Sequence, residues 1–239
     1  MCGTCGCGGD EHGHGETVPM EHRVLARNDH LAEHNRTWLR ERSILMVNLM
    51  SSPGSGKTTL LERVITGLLD RVPVAVIEGD QATPLDADRI RATGCPALQV
   101  NTGSGCHLDA GMLAGALDEL DPAPGSVLFV ENVGNLVCPA LFDLGEDHRA
   151  VVMSVTEGED KPLKYPYMFR TADVVLLNKV DLLPHVDFDP VRFRERLSRV
   201  NPAADVLPVS ALRGDGLGEW DTWLADRLRR LTEEAGIPR

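Results

Sequence analysis

Apolar residues fall into two alternating kinds of run along most of this chain. Short stretches dense in aliphatic and β-branched residues lie at 44–50, 73–78, 97–101, 127–131, 150–155, 173–178 and 205–209. Between them run longer amphipathic stretches at 57–70, 86–93, 108–120, 188–200 and 216–234. The first kind has the length and composition of buried strands, and the second the spacing of helices with one apolar face. Apolar strands alternating with helices predict an α/β fold: a mostly parallel sheet of about seven strands with helices on both faces. Right-handed crossovers then collect the strand-to-helix loops along one rim, where such folds bind ligands.

Two segments precede the alternation. Residues 21–42, "EHRVLARNDHLAEHNRTWLRER", space Val24, Leu25, Leu31, Trp38 and Leu39 among charges, which predicts an amphipathic helix. His30 and His34 share a face of it and read as solvated surface residues. Residues 1–20 offer a core only Met1 and Val18, cysteine and glycine aside, among the first nineteen positions. Such a segment cannot offset its own ordering entropy and is expected to be a flexible tail.

Composition narrows the classes. The chain has 239 residues, 42% hydrophobic and 25% charged, ordinary for a globular protein. Its formal net charge of −12 advertises neither nucleic acid nor anionic lipid as a partner. No apolar run approaches the roughly 20 residues of a membrane span, and no signal-peptide core is present, so a cytoplasmic location is expected. In that reducing compartment the tail's Cys2, Cys5 and Cys7 read as a metal or redox cluster, not as disulfide partners. Cys95, entering a predicted strand, reads as a buried structural thiol.

The candidate chemistry concentrates at strand ends. "ILMVNLMSSPGSGKTTLLERVI" is a strand, a glycine-containing loop and a helix, and its "GSGKTT" matches the end of a Walker A phosphate-binding loop. Gly54, Ser55 and Gly56 wrap backbone amides around phosphate, Lys57 reaches the β- and γ-phosphates, and Thr58 ligates Mg²⁺, with Thr59 beside it. The motif's first glycine is Ser51 here. Residues 43–239 therefore read as one P-loop domain. "VVLLNKVDLL" supplies Asn178, Lys179 and Asp181, the N-K-x-D pattern of guanine readers. One carboxylate can accept from both N1–H and N2–H of guanine, whereas adenine offers an acceptor at N1, so the pattern selects GTP and GDP. Ser210 and Ala211, in "PVSAL", resemble the loop that supports the base. Asp80 and Glu131 end strands beside the phosphates and are candidates to hold Mg²⁺ or orient water; Glu78 competes with Asp80 for the role. No arginine in cis is apparent, which predicts slow turnover.

Two further segments belong to the same rim. Cys106 and His107 follow the third strand, and Cys138 follows Glu131. Two thiols and an imidazole suit Ni²⁺ or Zn²⁺ and not Mg²⁺. Spacing alone leaves open whether they meet or belong to three unrelated environments.

Taken together, "SSPGSGKTTLL", "ENVGNLVCP", "TEGEDKPLKYP", "LLNKVDLL", the Cys106–His107 pair and the opening "CGTCGC" resemble the HypB family of hydrogenase nickel-incorporation GTPases. The resemblance runs from about residue 20 to the C-terminus, and in that family Ser51 is the usual departure from Walker A. It implies a P-loop GTPase that forms a homodimer and delivers Ni²⁺ during [NiFe]-hydrogenase maturation. Cys106, His107 and Cys138 would form a nickel or zinc site at the subunit interface, and Cys2, Cys5 and Cys7 a tighter nickel site in the tail. The implied partners are a HypA-like nickel/zinc maturation protein and the hydrogenase large-subunit precursor. Two rival readings are weaker. The tail cysteines and "ENVGNLVCP" speak against a urease nickel GTPase, and intact Lys57, Thr58 and Asp181 against a metal store with a vestigial P-loop.

Overall fold

The computed structural model describes residues 14–80, 85–103 and 105–234. A long helix α1 (His14–Glu41) leads into β1 (Leu45–Ser51), α2 (Lys57–Leu68), β2 (Val74–Asp80), α3 (Leu85–Arg91) and β3 (Ala97–Asn101). The chain continues through α4 (Ala110–Leu120), β4 (Val127–Glu131), α5 (Cys138–Leu141), β5 (His148–Ser154), α6 (Lys161–Lys164) and α7 (Pro166–Arg170). It closes with β6 (Val174–Asn178), α8 (Pro190–Val200), β7 (Asp205–Pro208) and α9 (Leu217–Glu234).

The strands form one seven-stranded sheet in the order β3-β2-β4-β1-β5-β6-β7. Every neighbouring pair is parallel. All seven residues of β1 are buried, as a central strand covered on both faces requires. Its alternation sorts them between opposite faces of the sheet. Leu45, Val47 and Leu49 face Leu60, Leu61 and Val64 of α2 and Trp220 and Leu224 of α9. Met46, with Ile44 just before the strand, packs with Leu39 of α1 and Leu113 and Leu117 of α4. A third core joins Val151, Met153, Val175 and Leu177 to Met168 and Phe169 of α7 and Phe193 and Leu197 of α8. No described helix is long and apolar enough to cross a membrane.

The structure differs from the sequence expectation in three places. Helix α1 starts at His14 instead of 21, because helical hydrogen bonds propagate outward from a packed segment without needing burial of their own. Strand β5 starts at His148, where pairing of Val47 with His148 and Asn48 with Arg149 extends it beyond its apolar run. Helices α5, α6 and α7 have only four or five residues each, too few for a 3.6-residue period to register. The boundaries of α4 and α8 follow local capping: Asp109 accepts the Met112 N–H at 2.8 Å, and Asp189 that of Val191 at 2.9 Å.

Candidate functional site

The loop between β1 and α2 is built around two left-handed glycines. Gly56 has φ +95°, and a Cβ there would stand 2.7 Å from Asn178 Nδ2. Only glycine permits that backbone and that approach. Lys57 is buried at the start of α2 and donates to Ser51 Oγ at 2.8 Å. The serine in place of the motif's first glycine thus holds the lysine. Burial draws the Lys57 ammonium below its usual pKa, against the opposing field of Glu131. Pro53, Gly54, Ser55, Gly56, Lys57, Thr58 and Thr59 line one side of an open cavity of about 600 Å³. Asp80, Asp86, Arg89, Glu131 and Lys179 border it elsewhere.

The base-reading residues lock onto the same loop from β6. Asn178 Nδ2 donates to Ser55 O at 2.9 Å, while its Oδ1 accepts the Lys179 and Ala211 N–H groups at 2.8 and 3.0 Å. Lys179 Nζ donates to Gly54 O at 2.7 Å. Ser210 Oγ donates to Asp181 Oδ1 at 2.6 Å, fixing that carboxylate while leaving Oδ2 for a ligand, 4.0 Å from Arg213 Nε. Asn178 and Lys179 therefore close one corner of the phosphate loop, with Ala211 bonded to Asn178 and the neighbouring Ser210 to Asp181.

A set of hard oxygen donors occupies the other corner. Parallel register places Glu131 beside Leu49 on β1 and beside Glu78 on β2, with Asp80 two residues further along β2. Thr58 Oγ1 donates to Glu131 Oε1 at 2.9 Å. Glu131 Oε2 and Glu78 Oε2 are buried with no hydrogen-bond partner among the described residues. Burial, and next the Glu131 charge, push Glu78 up to about 8; burial likewise raises Glu131, against the field of Lys57. Two orphaned carboxyl oxygens beside a threonine hydroxyl fit a small divalent cation of Mg²⁺ type.

The three predicted rim ligands meet. Donor atoms of Cys106, His107 and Cys138 all lie within 4.8 Å of one another, each residue half-buried. Cys106 Sγ is 3.7 Å from His107 Nδ1, and the imidazole stacks on Phe142 with ring centroids 3.9 Å apart. Burial lowers the His107 pKa and so favours the neutral, ligating imidazole. The shared hydrogen bond with Cys106 and then burial raise Cys138, so metal binding there must displace a proton. Cys95, by contrast, donates to Val74 O at 3.3 Å, and burial pushes it up to about 12, as suits a structural thiol.

A buried polar chain ties this cluster to the nucleotide rim. Asn132, next to Glu131, accepts the Leu108 N–H at 3.2 Å and donates to Asn48 Oδ1 at 3.3 Å. Asn48 donates to Glu146 Oε1 at 3.2 Å, and Glu146 Oε2 accepts the Leu144 N–H at 2.7 Å. The network therefore grips both segments of the cluster, 106–110 and 138–144. Helix α1 grips them again. Asn28 accepts the Ala110 N–H at 2.9 Å and donates to Asp143 O at 2.7 Å, and Asn35 donates to Ala110 O and Leu144 O at 2.9 and 3.0 Å.

Cys2, Cys5 and Cys7 lie outside the described residues. Residues that the sequence reading missed include Asn132, Asn48, Glu146, Asn28, Asp86 and Arg89, together with Glu157, which accepts from Ser52 of the phosphate loop. Arg89, on α3, borders the cavity, a position that the sequence reading did not single out. The only advance signal was its position shortly after the strand that ends in Asp80.

A parallel sheet whose first strand turns through this glycine loop onto Lys57 and Thr58 defines a P-loop nucleotide-binding protein. Residues 45–208 match the family described as CobW/HypB/UreG, nucleotide-binding domain. The chain is 58% identical over 205 residues to the hydrogenase maturation factor HypB of Azotobacter vinelandii, covering 86% of this chain and 68% of the relative. It is 54% identical over 229 residues to that of Escherichia coli K12, covering 90% and 79%. Among solved structures it is similar to HypB from Helicobacter pylori in complex with nickel, with TM-score 0.80 and 38% identity over 85% of this chain and 96% of that one. The chain belongs to the HypB hydrogenase maturation factors of the CobW/HypB/UreG family.

Proposed function

We propose that this chain is a GTP-hydrolysing nickel metallochaperone that delivers Ni²⁺ during maturation of a [NiFe]-hydrogenase. The observation that carries the reading is one hydrogen bond: Leu108 N–H, one residue past His107, donates to Asn132, the neighbour of the Glu131 that receives Thr58 of the phosphate loop. A change at the γ-phosphate end thereby has a short path to the thiolate–imidazole cluster.

Asp181 selects guanine by accepting two donors on one base edge, with Ser210 holding it in place. The loop amides and Lys57 bind the phosphates and oppose charge built up on them in the transition state. Thr58, Glu131 and Asp80 would hold Mg²⁺, which when bound supplies charge neutralisation between the β- and γ-phosphates. Cys106, His107 and Cys138 would take Ni²⁺ or Zn²⁺ as cargo, leaving at least one coordination position for a donor from elsewhere. Val137 and Leu141 stand exposed on either side of Cys138, which supports a second copy of this chain, or the HypA-like protein and hydrogenase precursor, docking at that face. Cys2, Cys5 and Cys7 would form the tighter nickel site, delivering to the cluster over the length of α1.

Phosphate release in Mg²⁺ tests the enzyme: GTP is turned over, ATP is not, and Lys57→Ala is inactive. Equal rates for the native protein and Lys57→Ala would leave a metal store. Nickel titration with GDP and with a non-hydrolysable GTP analogue tests coupling, for which the two affinities must differ.

A further inference from the structure

Three cations border the phosphate cavity among the described residues: Lys57, Lys179 and Arg89. The first two are committed, Lys57 to Ser51 at the cavity floor and Lys179 to the Gly54 carbonyl. Arg89 stands on the side formed by α3, and its guanidinium bonds to side chains among the described residues. Its Nη2 and Nε donate to the two oxygens of Glu62 on α2 at 2.5 and 3.1 Å, Nη2 also to Thr59 Oγ1 at 3.1 Å, and Nη1 to Asp86 Oδ1 at 3.3 Å. The Arg89 side chain is 43% exposed, and those of Glu62 and Asp86 are 29% and 47% exposed. Ion pairs so open to water hold a side chain only weakly. A triphosphate carries more charge, and its oxygens match the planar fork of a guanidinium in two-point contact.

We propose that Arg89 is a catalytic residue supplied in cis, parked on Glu62 in the nucleotide-free protein and drawn onto the γ-phosphate of GTP for hydrolysis. The inference rests on the GTPase reading above. Its role is electrostatic. In the reaction a water oxygen bonds to the γ-phosphorus as the bond to the β–γ bridging oxygen breaks, and that bond's electron pair leaves on GDP. The water's proton departs with the phosphate or to solvent. Arg89 exchanges no proton; its fork offsets charge gathering on the γ-oxygens and the bridging oxygen. Its field already reaches Glu131, where it acts with Lys57 to favour the carboxylate. Thr59, the third partner, follows the Mg²⁺-binding Thr58 directly, so the swing from Glu62 to phosphate stays beside the loop.

Steady-state hydrolysis at saturating GTP by the full chain, alongside GDP affinity and thermal melting, tests this with three variants. Arg89→Ala should lower kcat by about 10³-fold, the scale of a lost catalytic arginine, while GDP affinity stays within about threefold. Arg89→Lys should recover little of that, because an ammonium has no fork. Glu62→Gln, which loosens the parking site, should raise kcat severalfold. If Arg89 and Glu62 only clasp α2 to α3, both substitutions lose the same contact and must lower activity and melting temperature together. That outcome, or an Arg89→Ala kcat within threefold of native, overturns the proposal while the GTPase reading stands. A native protein no faster than Lys57→Ala overturns both.

Discussion

The phosphate loop and the thiolate–imidazole cluster share one rim of one sheet but are built on opposite plans. The loop is five consecutive residues, 52–56, wrapped by backbone and closed against Asn178, so its parts hold one another. The cluster takes its donors from two segments, 106–107 and 138, brought together only because β3 and β4 both end at this rim. It has no stiffness of its own. What keeps its donors within 4.8 Å is a surrounding layer: Asn48 from β1, Asn132 just past β4, Glu146 just before β5, and Asn28 and Asn35 from α1. A site that is rigid by itself suits a nucleotide that must be read accurately. On the proposed function, a site held by its surroundings would suit a cargo that must be released, because loosening the surroundings would free the metal.

This contrast can be broken from either side. The largest effect is expected from Gly56→Ala, whose Cβ would meet Asn178 Nδ2 at 2.7 Å on a left-handed backbone. Fluorescent GDP binding should weaken by about 100-fold or more, while nickel titration of the nucleotide-free protein stays unchanged; a matching loss of nickel would mean the cluster depends on the loop's shape. Cys138→Ala should do the reverse: rim nickel affinity falls by about 100-fold, with GDP affinity in metal-free buffer within twofold. Truncating a residue that orients ligands typically costs 10- to 100-fold in metal affinity. Asn132→Ala should therefore weaken nickel by about tenfold, leave metal-free GDP binding alone, and narrow the difference in nickel affinity between GDP and GTP-analogue states. An undiminished difference would show that the coupling runs elsewhere.

The smallest effect concerns α1. Burial works to raise the Asp143 pKa, but its hydrogen bonds from Arg36 and the Gly145 N–H outweigh that and hold it below the usual carboxylate value. A carboxylate depressed in the folded state adds stability that is complete above its unfolded pKa and lost as pH falls through the folded one. Asp143→Asn should thus cost up to about 1 kcal/mol near neutrality, with native and variant melting curves converging as pH falls through the lowered folded-state pKa. A gap independent of pH would assign the role of Asp143 to its shape instead of its charge.

The sequence by itself determined the strand–helix alternation, the phosphate loop and the guanine pattern, because each is written in consecutive residues. Strand periodicity, glycine backbone freedom and the fixed offsets of Lys57, Thr58 and Asp181 are local properties. It also gave Cys106, His107 and Cys138 as a candidate set, though not their meeting, since neither segment carries a signal for the distance to the other. Only the tertiary structure decided that Ser51 anchors Lys57, that Asn132 and Asn28 staple the loops of the cluster, and that Arg89 borders the cavity. Those residues look like ordinary polar positions in the sequence. Their roles come from which strand lies beside which, and parallel pairing between distant strands sets the relevant separations, so nothing within one element could announce them.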